Sequence, residues 1–213
     1  MSNVWFTSDL HIGHSKIAGL RAGDRVFPAV VGAVEDWHDR MLAKGWDEVV
    51  GKDDVVWVLG DISSGTNDGQ RKALAWLKER PGRKRLVPGN HDGVHGLQRD
   101  GHKWEPEYRE VFERIVMAAK LRIPLPEGHL SATLSHFPYD GDHTDPDRHT
   151  TWRLRDEGLP AIHGHTHSTE RVSHSQRGSL QVHVGVDANW FAPVPMSYVT
   201  NLIATVHEWE GKL

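Results

Sequence analysis

Five short segments carry side chains able to hold cations: Asp9-Leu10-His11, Gly60-Asp61, Gly89-Asn90-His91-Asp92, Ser135-His136 and Gly164-His165-Thr166-His167. Their ligand types are carboxylate, imidazole and a neutral amide oxygen. That mixture suits Mn²⁺, Fe or Zn²⁺ and suits Ca²⁺ poorly, because Ca²⁺ prefers all-oxygen sites. Asp9 and His11 stand two residues apart after a strand-like run, so both would face one way and reach one ion. Asp61 has two oxygens with which to bridge two ions, and Asn90 adds an oxygen without adding charge. His165 and His167 could each face a different ion, and His136 follows the strand-like Ala132-Thr133-Leu134. Two adjacent divalent ions suit cleavage of a phosphate ester, since they neutralise its anionic oxygens and acidify a water. Each segment alone reads as a turn or a capping pair. The five together, in this order, point to a dinuclear site.

Most of these segments follow a short apolar run, so the ligands should gather at one edge of a sheet. Val4-Trp5-Phe6-Thr7 reads as a strand before Asp9. Val55 to Leu59 is continuously apolar, as in a strand covered on both faces. Leu86-Val87 leads into Gly89-Asn90, and further strands are predicted at 121–125, 130–134, 161–162 and 181–186. Val30, Val34, Trp37 and Met41 recur at helical spacing, predicting a helix over 28–44 that Gly45 ends. Helices are also predicted from Gln70 to Arg80, stopped by Pro81-Gly82, and across Tyr108, Val111, Phe112 and Ile115. Val199, Leu202, Ile203, Val206 and Trp209 fit a final amphipathic helix, with Ser197 as its cap. Residues 92–106 and 138–158 read as loops. An α/β first half followed by a strand-rich second half predicts a two-sheet sandwich with helices outside, as one domain over residues 1–213.

The formal net charge of -4 argues against affinity drawn from blanket contact with a nucleic-acid backbone. Nucleic acid stays open as a substrate, since bound cations would reverse the local field, but no basic binding surface is evident. Arg83-Lys84-Arg85 opens the strand that leads to Asn90, so it should lie at the far edge of the sheet as a solvated face. No run approaches the roughly 18 apolar residues of a membrane span. The N-terminal residues lack a basic flank and a long apolar stretch, so a cytoplasmic location is expected. With no cysteine in the chain, disulfides and thiolate metal sites are excluded.

As a set, the five segments resemble the calcineurin-like metallophosphoesterase superfamily, and Ser8 to His14 is similar to its small bacterial or phage-type members. The resemblance implies an αββα architecture, a two-sheet β-sandwich flanked by helices, with the site at the strand ends. It implies that Asp9, His11 and His167 bind one ion, that Asn90, His136 and His165 bind the second, and that Asp61 bridges both. His91 would be the general acid, with Asp92 orienting its ring. The cofactors implied are two divalent ions, Mn²⁺ first and Fe, Zn²⁺ or Ni²⁺ as alternatives. The reaction expected is hydrolysis of a small or nucleotide phosphodiester. A bridging hydroxide would attack in line, and His91 would protonate the leaving oxygen.

Two other readings belong beside it. A phosphomonoesterase, protein phosphatases included, would need extra arginines near the metals, and Arg148, Arg153 and Arg155 are available. A non-catalytic scaffold of the same fold would be expected to have lost ligands, and none is lost here. His14 could touch substrate, orient His11 or face solvent. His143, Arg148 and His149 either reach substrate or stay solvated. His163 should pack behind the site, and Trp190 should either join the core or line the pocket.

Overall fold

The computed structural model describes residues 2–23, 32–125, 128–142 and 144–209. Strands β1 (Val4–Thr7), β2 (Val55–Val58), β3 (Arg83–Leu86) and β4 (Phe112–Ile115) lie side by side in parallel. The second sheet has the order β5 (Ala119–Pro124), β6 (His129–Leu134), β7 (Ala161–His163), β9 (Leu180–His183), β8 (Val172–His174). Its β6, β7 and β9 are parallel, with an antiparallel strand at each edge. A short β10 (Val194–Pro195) closes the first sheet, antiparallel to β1. A parallel bridge between Ser8 and Gly185 joins the two sheets just beyond β1 and β9. The C-terminal ends of both parallel sets therefore meet on one side.

Alternation along β2 explains how its wholly apolar sequence is accommodated. Val55 and Trp57 face the inter-sheet core with Phe6, Leu134, Ile162 and Val182. Val56 and Val58 face outward onto the helices α2 (Ala33–Val49) and α3 (Asn67–Glu79), against Leu42, Trp46, Ala73 and Leu77. Thr66 caps α3 by accepting from the Gly69 N–H. Helix α1 (Ser15–Ala22) follows the first ligand segment, α4 (Glu105–Arg109) precedes β4, and α5 (Met196–Trp209) joins the inter-sheet core through Val199 and Ile203. The protein is thus α/β, with two mixed sheets flanked by helices. Among the described residues, no helix is long and apolar enough to cross a membrane.

Three local expectations are corrected. The predicted 28–44 helix begins within residues that lie outside the described set, and it continues past Gly45 to Val49. A Cβ at Gly45 would collide with the Phe191 carbonyl, so this glycine serves a close approach rather than a helix end. The helical spacing from Tyr108 to Ile115 breaks after α4, where Phe112 to Ile115 pair with β3 instead. Lys84 is not solvated: it is buried, and its Nζ donates to the carbonyls of Arg80 at 2.6 Å and Gly82 at 2.9 Å. Its neighbours Arg83 and Arg85 share Glu113, which offsets part of the charge of the basic run.

Candidate metal centre

Every ligand segment leaves the C-terminal end of a parallel strand: Asp9 and His11 after β1, Asp61 after β2, Asn90 after β3, His136 after β6, His165 and His167 after β7. The chain must turn sharply there. Asp9, His11, Asp61, His165 and His167 all have positive φ, between 47° and 71°. Such backbone is uncommon for residues other than glycine, and it concentrates at functional sites. Loop-to-loop bonds hold it: the N–H groups of Asp9, His11 and Ile12 donate to the carbonyls of Gly60, Asp61 and Ile62. The segment glycines permit the crowding. A Cβ on Gly60 would collide with the Gly89 backbone and the His136 ring, and one on Gly164 with Ser8 and Asp9.

Donor atoms converge in two groups, Asp9 with His11 and His167, and Asp61 with His136 and His165. Asp61 Oδ2 lies 3.9 Å from His11 Nε2 and 3.6 Å from His136 Nε2, so it faces both groups. These spacings exceed a hydrogen bond. With metal–ligand bonds near 2.1 Å, neighbouring ligand atoms sit roughly 3–3.5 Å apart.

Ring partners fix which nitrogens face inward. His136 Nδ1–H donates to the Leu59 carbonyl at 2.6 Å, and His11 Nδ1–H to the Ser63 carbonyl at 3.0 Å, leaving both Nε2 atoms as lone pairs. His167 Nδ1–H donates to Asp187 at 3.1 Å, and His165 Nε2–H to Asp142 at 3.2 Å. These carboxylate–imidazole pairs are the usual outer support of metal-bound histidine. The Nε2 atoms of His11 and His167 stand 3.2 Å apart, a gap that requires a proton or a cation. Asn90 Oδ1 and His136 Nε2 are buried without a hydrogen-bond partner. The donor set therefore fits divalent cations, and its orphaned acceptors are what such ions would satisfy.

Burial sets the electrostatics. It pushes the Asp61 carboxyl up to about 7, against the field of His91 and with help from the Asp9 charge. Burial, then the Asp61 charge, also lifts Asp92 to about 7. His11 falls well below its ordinary value through burial and the nearby Arg21 guanidinium. Burial alone would lower His167, but its bond to Asp187 and the Asp9 charge outweigh that and raise it. Burial would likewise raise Asp187, yet His167 and Arg21 hold it far below the usual carboxylate range.

His91 stands at the mouth of the centre, its side chain 42% exposed and its Nε2 4.0 Å from Asp61 Oδ2. Asp92, expected to orient the His91 ring, is placed differently. Its oxygens accept from the backbone N–H groups of Asp61, Ile62 and Gly89 at 2.9, 3.1 and 2.7 Å, which ties two ligand loops together. His14 packs edge-on against His11, with ring centroids 5.5 Å apart, and lines the same cleft. His149 lies 5.7 Å from the His165 ring, and Arg148 also lines the cleft. His163 is buried beside His183, as expected of a residue packed behind the site. His143 lies outside the described residues.

Sequence reasoning missed Arg21, Asp142, Asp187 and His183. Asp187 had a readable signal, since it follows the apolar run ending at Val186 just as the ligands follow theirs. Arg21 binds it bidentately at 2.6 and 2.8 Å and also donates to the Asp9 carbonyl at 2.8 Å. His183 Nε2 lies 3.9 Å from Asp9 Oδ2.

A two-sheet α/β fold with adjacent His/Asp groups at its strand ends is the architecture of a metal-dependent hydrolase, and the family match makes it a phosphoesterase. The family model described as calcineurin-like phosphoesterase matches residues 2–169, and the chain belongs to that family. It is 53% identical to the Gene 66 protein of Mycobacterium phage L5, over 99% of both chains. Identity to the Gene 66 protein of Mycobacterium phage D29 is 50%, over 98% of this chain and 99% of that one. A crystal structure of a protein of unknown function from Aquifex aeolicus shares the fold, with a TM-score of 0.61 and 24% identity over 95% of this chain and all of that one. The family uses divalent metals, and the two donor groups are where this chain would hold them.

Proposed function

We propose that the protein is a dinuclear-metal phosphodiesterase acting on a small or nucleotide phosphodiester. The state of the arginines carries the reading. A dianionic monoester needs cationic contacts beyond the metals, yet the two arginines that line the cleft already face carboxylates, Arg21 on Asp187 and Arg148 on Asp142. Arg153, on Asp147, and Arg155, beside Glu157, are not among the residues lining the cleft. The cleft beside the donors also has apolar lining, including Ile17, Trp37 and Met41, which suits the second substituent that only a diester carries.

In this reading Asp9, His11 and His167 hold one ion, Asn90, His136 and His165 the other, and Asp61 reaches both. Mn²⁺ is the first candidate, with Fe, Zn²⁺ and Ni²⁺ behind it. Bound ions would supply Lewis-acid neutralisation of the phosphoryl oxygens and the acidification of water. His91 gives a proton to the leaving oxygen from the cleft mouth. Its backbone N–H donates to Asp61 Oδ1 at 2.9 Å, so the acid and the shared ligand keep a fixed spacing. Asp92 holds the loops of Asp61 and Asn90 in register through its three backbone bonds.

The test is hydrolysis of paired aryl phosphates, a diester and a monoester, by metal-stripped protein refilled with Mn²⁺, Zn²⁺, Ni²⁺ or Mg²⁺. Preference for the diester is expected, and preference for the monoester would favour a phosphatase. His91→Ala should keep two bound ions and lose about 10²–10⁴-fold in kcat on esters with alkyl leaving groups. Undiminished turnover of such esters would remove His91 from the mechanism.

A further inference from the structure

Trp190 is 82% exposed, a costly position for an indole, and it lines the cleft that holds the donor groups. Two local penalties hold it there. Trp190 and Phe191 both have positive φ, 57° and 63°, which is unfavourable for bulky side chains. The second penalty is Gly45, a helix-weakening residue in the interior of α2, which leaves room for the Phe191 carbonyl. The turn is otherwise well secured. Phe191 N–H donates to the Val186 carbonyl at 3.2 Å, and Asn189 Nδ2 donates to the carbonyls of His183 and Gly185 at 3.1 and 2.9 Å. The Phe191 ring packs edge-on against Trp37 at 5.8 Å and His38 at 5.9 Å. Anchoring therefore falls on Phe191 and leaves the neighbouring indole bare.

The same turn begins at Asp187, the carboxylate that supports His167, so the indole and one support of the candidate centre share a short segment. Ile17, Leu20, Trp37 and Met41 give the same cleft apolar lining, within a cavity of about 810 Å³. That volume falls in the range of small-molecule sites. Backbone strain is borne to expose an aromatic face in the cleft that also holds donors suited to a phosphate, an arrangement that fits a ligand with a flat ring joined to a phosphate.

We propose that Trp190 is a stacking platform for a planar aromatic substituent of the substrate, a nucleobase or an aryl group, and so sets substrate preference. The turnover test rests on the diesterase reading; a binding test does not. Manganese-loaded wild type, Trp190→Ala and Trp190→Phe would be compared on bis(4-nitrophenyl) phosphate and methyl 4-nitrophenyl phosphate. The two esters share a leaving group and differ in whether the second substituent is a ring. Trp190→Ala should lower the ratio of their kcat/KM values by about 5- to 50-fold, chiefly through KM for the bis-aryl ester. Trp190→Phe should restore most of that ratio. A ratio within twofold of wild type in Trp190→Ala would overturn the platform.

Equilibrium binding of adenosine 5′-monophosphate, phenyl phosphate and ribose 5-phosphate reads the same subsite without turnover. The platform predicts that Trp190→Ala weakens one or both ring-bearing ligands more than ribose 5-phosphate, and which one is weakened separates nucleobase from aryl group. Equal weakening of all three would sink it, even if neither diester were cleaved.

Discussion

Asp9 and His167 are backed through Arg21 by helices, whereas Asp61, His136 and His165 are backed by strand ends and a loop, a pattern that His11 shares through the Ser63 carbonyl. Arg21 of α1 donates to the Asp9 carbonyl and clamps Asp187 beneath His167. Its other terminal nitrogen lies 3.0 Å from His38 Nε2 in α2. Behind that, Asp39 meets His38 and Lys72 of α3. The second group leans on backbone. His136 is set by the Leu59 carbonyl, Asp61 accepts from the His91 N–H, and Asp142 supports His165 from the 138–158 loop. Substitution can remove a side-chain relay but not a carbonyl. The helix-backed group should therefore be the more fragile of the two under mutation.

Asp61→Ala tests what the groups share and should have the largest effect. Losing a ligand that faces both groups is expected to lower turnover by roughly 10³-fold or more. Metal titration should show both ions weakened, and loss of one ion alone would mean that Asp61 belongs to a single group.

Asp187→Asn and Asp142→Asn separate the groups. Each should weaken one ion about 10- to 100-fold, and not the same ion. Stability should divide them further. Asp187→Asn leaves Arg21 buried without its counter-charge, at a cost of about 3–5 kcal/mol. Asp142→Asn should cost less through its arginine, because the Arg148 side chain, 43% exposed, is solvated when the buried carboxylate is lost. Urea unfolding of the metal-free variants reads this directly, and equal losses would erase the distinction.

The sheet side can be probed by acid. Burial, with the neighbouring His183, holds His163 neutral and lowers its pKa to about 3. A depressed folded value means that its contribution is complete above the unfolded pKa near 6.5 and is lost as pH falls toward 3. His163→Gln should shrink the stability difference between pH 7.5 and pH 5 by about 2 kcal/mol. An unchanged difference would mean that His163 titrates normally. On the helix side the expected effect is of similar size. Gly→Ala inside a helix ordinarily stabilises by about 1 kcal/mol, but Gly45→Ala should destabilise by about 1–3 kcal/mol, because its methyl meets the Phe191 carbonyl. A stabilised variant would show that the turn yields.

How far these features were legible in the sequence follows from where their causes lie. The ligand segments were readable because each is short and polar and most follow an apolar run, and the structure gathers all of them. Their supports come from elsewhere in the chain. Arg21 sits on a helix whose amphipathic pattern is weak, and Asp142 sits in a loop. Phe112 and Ile115 fit a helical period with Tyr108, but pairing with Lys84 and Leu86 overrides it. Gly45 looked like a helix end because its packing partner lies about 146 residues further on, beyond any local pattern.

The buried Asp61 carboxyl bears on how the protein handles acid as well as metal. Burial raises the Asp61 carboxyl and the bond to Asp187 helps raise His167, so both groups hold protons more tightly than they would in water. Cations must displace them, so loading the centre releases acid, and affinity should climb steeply as pH rises through 7. In weakly buffered solution, adding Mn²⁺ would register on a pH electrode. Mild acidification should in turn weaken ion binding.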